Sequence, residues 1–315
     1  METLQIKPTS MRDAYWDRVY EIAKTDRNLI LVSSDQNSPS LDAKFRKDLP
    51  DQFVNVGIAE ANAVLVAAGL ALGGKKAFAH AIAPFITLRP YELIKMELAA
   101  MGIPVTLVGV GAGFSYSDSG PTHHMLEDIG IMRILPKLKV HSISDSVMAA
   151  AFADVSYKSE FPNYVRLDRQ SLPVLYMKGT DFSSGLRILK ESDDLMIIAT
   201  GNMVHRALDI SEELKSHSIQ AGVIDLFTFP IDEPALLDAI AKSRRIVTLE
   251  EHFLPGGMGS AVVETLADNG KLLPVKRIGV DHRLGYCYNY GGRENIQSYY
   301  GLDKKSIVRT ILKLG

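Results

Sequence analysis

The stretch Asn55–Ala71, NVGIAEANAVLVAAGLA, decides how this chain is read. From Ala59 to Leu72 it predicts a helix so rich in alanine and glycine that a neighbouring backbone can approach it closely, with Glu60 at its start. A carboxylate there is favoured by the positive end of the helix dipole, so taken alone Glu60 is an ordinary helix-start acid. Upstream, LILVSSD (Leu29–Asp35) is short, apolar and stopped by polar residues, as a strand buried on both faces of a parallel sheet would be. Ahead of it, Ser10 and Asp13 form a capping box before Tyr15, Val19 and Ile22 at helical spacing, which predicts a first helix to about Lys24. Downstream come a strand near Ala77, a helix from about Leu88 to Ala100, a strand over Pro104–Val110, a polar loop, and a strand over Leu138–Ser142. A helix from about Ser144 to Tyr157 and a strand over Asn163–Leu167 complete a first α/β unit.

Between about Ser171 and Gly185 the turn-rich SLPVLYMKGTDFSSG shows no sustained period and is read as a linker. The alternation then restarts with DDLMIIATG, NMVHRALDISEELKSH, QAGVIDLF, DEPALLDAIAKS, RRIVTLEEH and MGSAVVETLADN, which read in turn as strand, helix, strand, helix, strand and helix. The expected architecture is therefore α/β in two domains, residues 1–178 and 186–315, each around a parallel or mostly parallel sheet. A length of 315 residues suits two cores. A net charge of −2 with no Lys/Arg block gives no electrostatic reason to expect nucleic acid or an anionic membrane as partner. The single cysteine, Cys287, cannot form an internal disulfide, which favours a reducing compartment. With neither a signal-peptide pattern at the start nor a long apolar run, the expected location is cytoplasmic.

Six strings in order over nearly the whole chain resemble the transketolase family. NVGIAEANAVLVAAGLA resembles its GI[SA]EQNAVGIAAGLA signature, RPYELIKMELAAMGIPVTLVG its RAYDQIRMAA segment, and SDSGPTHHMLEDIGIMRILPKLKV its GEDGPTHQ region. YVRLDRQSLPVL is similar to LSRQNLP, IVTLEEHFLPGGMGSAVVE to IVTVEEHxxxGGLGSAVAE, and YGGRENIQSYYGLDKKSIV to the closing segment of the family. The resemblance implies a pyrimidine-binding domain of the thiamine-diphosphate fold followed by a transketolase C-terminal domain. It also implies that Glu60 meets N1′ of the cofactor's aminopyrimidine, where a shared proton promotes ionisation of the thiazolium C2. Burial among alanines raises the pKa of such an acid and a helix start lowers it, and the sequence leaves the balance open.

By the same resemblance Ile58 and Phe85 belong to the cofactor contacts, Phe85 as the ring packed on the aminopyrimidine. As a residue of HAIAPFITLRPY, Phe85 is equally a core phenylalanine. His123, in the GPTH string, corresponds to a histidine of the substrate channel, although a histidine in a Gly/Pro loop is otherwise merely solvated. Arg169, in LDRQ, matches the arginine that grips a sugar phosphate, a task suited to a fixed guanidinium fork. Two positions depart from the family. Ser119, with Asp118 beside it, stands where an aspartate reads a sugar hydroxyl, and Gly111 stands where a histidine lies on the phosphate side. His252 belongs to the second domain and is read as structural.

The family's diphosphate and Mg²⁺ site is a Gly-Asp-Gly followed by an Asn-Asn pair, and neither string occurs here. No His and acid spacing suggests a metal site of the chain's own. The resemblance therefore implies an N-terminal transketolase subunit as partner, carrying the diphosphate-binding domain and holding Mg²⁺, with this chain a homodimer alone and part of a heterotetramer with it. The expected activity is transfer of a two-carbon ketol unit from a ketose, usually a phosphate, to an aldose. The alternatives are a decarboxylating subunit like deoxyxylulose-phosphate synthase or E1β, and a non-catalytic thiamine-fold partner.

Overall fold

A computed structural model describes residues 9–35 and 39–314. By packing, the chain forms two compact units, one of residues 1–110, 136–138 and 143–180, the other of residues 111–135, 139–142 and 181–315. In chain order the strands before the linker are β1 (Leu29–Ser33), β2 (Phe53–Asn55), β3 (Lys76–Ile82), β4 (Thr106–Val110), β5 (Lys139–Ser142) and β6 (Asn163–Leu167). In the first unit β2, β1, β3, β4 and β6 lie side by side in that order, every pair parallel. β1, β4 and β6 are buried along their whole length, β6 with the polar Asn163 and Arg166 among its residues.

Helix α1 (Met11–Thr25) begins where the capping box places it, with Ser10 Oγ accepting the Asp13 N–H at 3.1 Å. Met11, Tyr15, Val19 and Ile22 bury one stripe, the i, i+4 and i, i+3 spacing that puts side chains on a single helix face. α2 (Pro39–Asp48) precedes the short β2, and α3 (Glu60–Leu72) follows it, burying Glu60, Ala63, Val64, Ala67 and Ala68. The helix expected from about Leu88 to Ala100 is present from Tyr91, as Tyr91–Leu93 running straight into a π-helical stretch Ile94–Ala100, and a separate turn of helix, α4 (Ala83–Thr87), precedes it. Pro90 accounts for the break, because it offers no N–H to the preceding turn and its ring crowds the carbonyl four residues back. Gly109 lets β4 pack here: a Cβ at this position would lie 2.6 Å from Tyr164 Oη and 3.1 Å from Ala83 Cα.

His80 in β3 is buried, its ring 4.9 Å from Trp16, and Nδ1 lies 3.2 Å from the Val108 carbonyl, which can only accept. Burial pushes its pKa from 6.5 down to about 4. The unfolded chain therefore takes up this proton first, so the contribution to stability is full above pH 6.5 and is lost as the pH falls toward 4. The unfolding free energy from chemical denaturation should fall over that window by up to about 1.4 kcal/mol per pH unit for this group. The fall should be shallower in His80→Phe; the same slope in both proteins would assign the effect to other groups.

In the second unit the strands are β7 (Leu186–Lys190), β8 (Leu195–Ala199), β9 (Ala221–Leu226), β10 (Thr228–Phe229), β11 (Arg245–Phe253) and β12 (Val275–Val280). β12, β11, β8 and β9 run parallel in that order, and β7 closes the far edge antiparallel to β9. β10 pairs antiparallel with β5. The edge strands β7 and β12 escape the sequence reading because they are only partly buried and lack a continuous apolar run. Among the described residues no helix is long and apolar enough to cross a membrane.

Candidate active site

In a sheet whose strands all run parallel, every strand ends at the same edge, and that carboxyl edge is where open α/β sheets bind ligands. Four candidate side chains of the first unit follow strand ends: Ile58 and Glu60 after β2, Phe85 after β3, and Arg169 two residues after β6. Ile58 is exposed in the loop before α3, and Arg169 is exposed as well. Arg169 follows Asp168, whose Oδ1 accepts the Gln170 N–H at 2.9 Å and so sets the turn that carries it.

Glu60 and Phe85 are brought together by a residue that the sequence reading left without a role. Arg89 Nη1 donates to Glu60 Oε2 at 2.8 Å, and its guanidinium lies 4.0 Å from the centre of the Phe85 ring. Glu60 is 2% exposed, and its other oxygen, Oε1, is buried without a hydrogen-bond partner among the described residues. An unpaired buried carboxylate oxygen is costly, and it suits a group that receives or shares a proton with something the chain itself does not contain. This orphaned oxygen fits the aminopyrimidine of thiamine diphosphate. Arg89 opens the RPYELIKME string, which is the signal the sequence offers for it.

The remaining candidates lie in the second unit, on a loop whose neck is the antiparallel bridge between Gly113 and Met125. Asp118 and Ser119 are exposed at its tip, Ser119 Oγ only 3.5 Å from Asp118 Oδ1. His123 is half-buried, with Nδ1 2.9 Å from Thr122 Oγ1 and its ring 5.7 Å from that of Tyr116. Gly111 has φ +106°, and a Cβ there would fall 2.3 Å from Tyr116 Cε2, so the tyrosine ring fills the room a side chain at 111 would need. His124 is buried edge-on to Phe114, and burial lowers its pKa. Among the described residues no group of three or more His, Cys, Asp or Glu side chains is placed to hold a metal ion.

The EEH string proves to be architectural. Glu250 accepts the N–H groups of Met258 and Gly259 at 2.6 and 2.8 Å, capping the helix Met258–Asp268 where the dipole favours negative charge. His252 Nε2 accepts the Gly130 N–H at 3.2 Å while Nδ1 lies 2.6 Å from the Phe253 carbonyl, so the ring is the neutral Nδ1–H tautomer with both nitrogens engaged.

A buried acid opening a small-residue helix beside a parallel sheet, joined in sequence to a second α/β unit, is the arrangement that the transketolase resemblance implies. Residues 7–174 match the family described as "Transketolase, pyrimidine binding domain" and residues 185–307 that described as "Transketolase, C-terminal domain". The chain belongs to the transketolase family. It is 36% identical over 307 residues to one subunit of the apulose-4-phosphate transketolase of Phocaeicola vulgatus, covering 96% of each chain. It is 34% identical to the 6-deoxy-6-sulfo-D-fructose transketolase subunit SqwH of a Clostridium species, covering 95% of this chain and 92% of that one. A solved structure described as a split-gene transketolase, inactive beta4 tetramer, superposes with a TM-score of 0.84 at 30% identity, covering 96% of this chain and 97% of the other.

Proposed function

We propose that the chain is the C-terminal subunit of a split, thiamine-diphosphate-dependent transketolase that moves a two-carbon ketol unit from a ketose to an aldose. The observation that carries this reading is the Glu60 carboxyl, buried, held on one oxygen by Arg89 and, among the described residues, unpaired on the other. Residues 1–178 serve as the pyrimidine-binding domain and 186–315 as the C-terminal domain. When bound, thiamine diphosphate supplies a thiazolium carbon that stabilises negative charge on the transferred unit. Glu60 holds a proton at Oε1 for the aminopyrimidine, Ile58 and Phe85 line the ring, and Arg89 fixes the carboxyl's orientation. His123, Ser119 and Asp118 face the sugar, and Arg169 takes its charged end.

The diphosphate and Mg²⁺ fall to a partner subunit in the cytoplasm. An apolar face supports such an assembly: Ile58, Leu65, Leu72 and Met96 are 66, 44, 67 and 49% exposed, on and around α3. Exposed apolar surface of this kind marks an interface. The chain forms a homodimer alone and a heterotetramer with the partner.

The departures at Ser119 and Gly111 point to a donor or acceptor other than the xylulose 5-phosphate and ribose 5-phosphate pair. Ser119 removes an acceptor for one sugar hydroxyl, which relaxes stereochemical discrimination. Tyr116 occupies the space beside Gly111. The test is to mix the chain with a subunit carrying Gly-Asp-Gly and Asn-Asn and assay a panel of ketoses and aldoses. Turnover is expected only in the mixture, with the standard pair used less efficiently than another. Turnover by the isolated chain would refute the split reading, carbon dioxide release from pyruvate would favour the decarboxylating class, and a clear preference for the standard pair would refute the reading of Ser119 and Gly111.

A further inference from the structure

We infer that Glu251, with Arg293 and Gln297, is a positioning group for the loop 113–125, which carries Asp118, Ser119 and His123; this rests on the proposed role of that loop. The loop is closed at its neck by two backbone bonds, Gly113 N–H to Met125 O at 3.0 Å and Met125 N–H to Gly113 O at 2.9 Å. Immediately inside the neck, the Phe114 N–H donates to Glu251 Oε2 at 2.9 Å. The approach is close: Gly113 has φ +58°, and a Cβ there would lie 2.0 Å from the same oxygen. Arg293 brackets the carboxylate through Nε and Nη2, with Nε 3.0 Å from Oε1, and Gln297 Nε2 donates to Oε1 at 2.7 Å. Both oxygens thus carry two donors each, and the group is almost wholly dry, with side chains of Glu251 and Arg293 1% and 7% exposed.

A buried ion pair is a poor way to gain stability, because desolvation offsets most of its attraction. Its distinguishing property is direction. A carboxylate held by a guanidinium fork and an amide presents its remaining acceptor site to one backbone N–H and to no other register of the loop. The clasp then reaches the histidines through Phe114, whose ring stacks on Tyr300 at 5.5 Å and meets His124 edge-on at 5.2 Å. His124 adjoins His123, so the backbone carrying His123 inherits the position that Glu251 sets.

The test uses the full-length chain and two variants. Glu251→Gln removes the charge, and the milder Gln297→Met removes one donor while Arg206 keeps Glu294 at 2.7 Å. Hydrogen exchange of amides 114–125 should quicken at least about tenfold in Glu251→Gln, the loss of one hydrogen bond to a charged group, and by about threefold in Gln297→Met. Amides of β1 should keep their wild-type rates. In the enzyme reconstituted with its partner subunit, the KM for xylulose 5-phosphate should rise about tenfold, more than kcat falls. His123→Ala and Ser119→Ala are measured alongside. If these raise KM while loop exchange and KM stay at wild type in both clasp variants, the positioning role is overturned. If His123→Ala and Ser119→Ala leave KM unchanged, the loop lies outside the sugar path and the reading it rests on fails with it. Gln297→Met keeps the test decisive should Glu251→Gln fail to fold.

Discussion

Glu60→Gln is expected to lower turnover of the reconstituted enzyme by about 10² to 10⁴, the usual worth of a positioned acid or base, while the fold survives. The size follows from what the substitution removes. Glutamine is nearly isosteric, so the small-residue packing of α3 around Ala63, Val64 and Ala67 is undisturbed. Its amide cannot give up and regain a proton as a carboxyl does at the position of Oε1, which is what the proposed role asks of residue 60. The partner left behind, Arg89, is 49% exposed, so water takes up the guanidinium and the lost ion pair costs little stability. Steady-state kinetics of the mixed subunits, beside a melting curve of the variant chain, separate the two effects. A loss of activity below tenfold with a wild-type melt would mean that another carboxyl carries the proton.

The opposite pattern, large in stability, is expected at Glu251. Glu251→Ala should destabilise the chain by about 3 to 5 kcal/mol, because it breaks a buried ion pair by removing one member of it. Here Arg293 is only 7% exposed and has no solvent to turn to, which distinguishes it from Arg89. The double variant Glu251→Met with Arg293→Met should recover most of that loss, since replacing both ions by apolar groups of similar size is often neutral. Chemical denaturation of the three proteins gives the comparison, and a single-variant loss below about 1 kcal/mol would mean that the guanidinium finds another partner. The double variant also isolates direction from stability: it should be stable, yet its loop 113–125 should still exchange rapidly, because no carboxylate receives the Phe114 N–H.

How far the sequence could be read is clearest at particular residues. The capping box at Ser10, the short strands β1, β4 and β6, and the small-residue helix α3 are local signals, and each appears where its pattern places it. The candidate residues were found differently, by strings that resemble a family, and so Glu60, Phe85, His123 and Arg169 could be singled out without any knowledge of what touches them. Pro90 shows the limit of periodicity, since the apolar spacing of 88–100 continues through a residue that cannot extend the preceding turn. The edge strands β7 and β12 were illegible because half-exposed strands carry no continuous apolar signal.

By itself, then, the sequence determined two α/β units, their alternating order, and an acid at the head of a helix. Only the tertiary structure decided which groups that acid and its neighbours meet. Arg89 reaches Glu60 across 29 positions, and Glu251 reaches Phe114 across 137. Contacts over such separations depend on how strands are ordered and how loops return, which no local period encodes. The same separations explain why Glu250, Glu251 and His252, consecutive in one strand, divide into a helix cap, a buried clasp and a backbone tie. Their identities are local, and their roles belong to whatever the fold brings to each face.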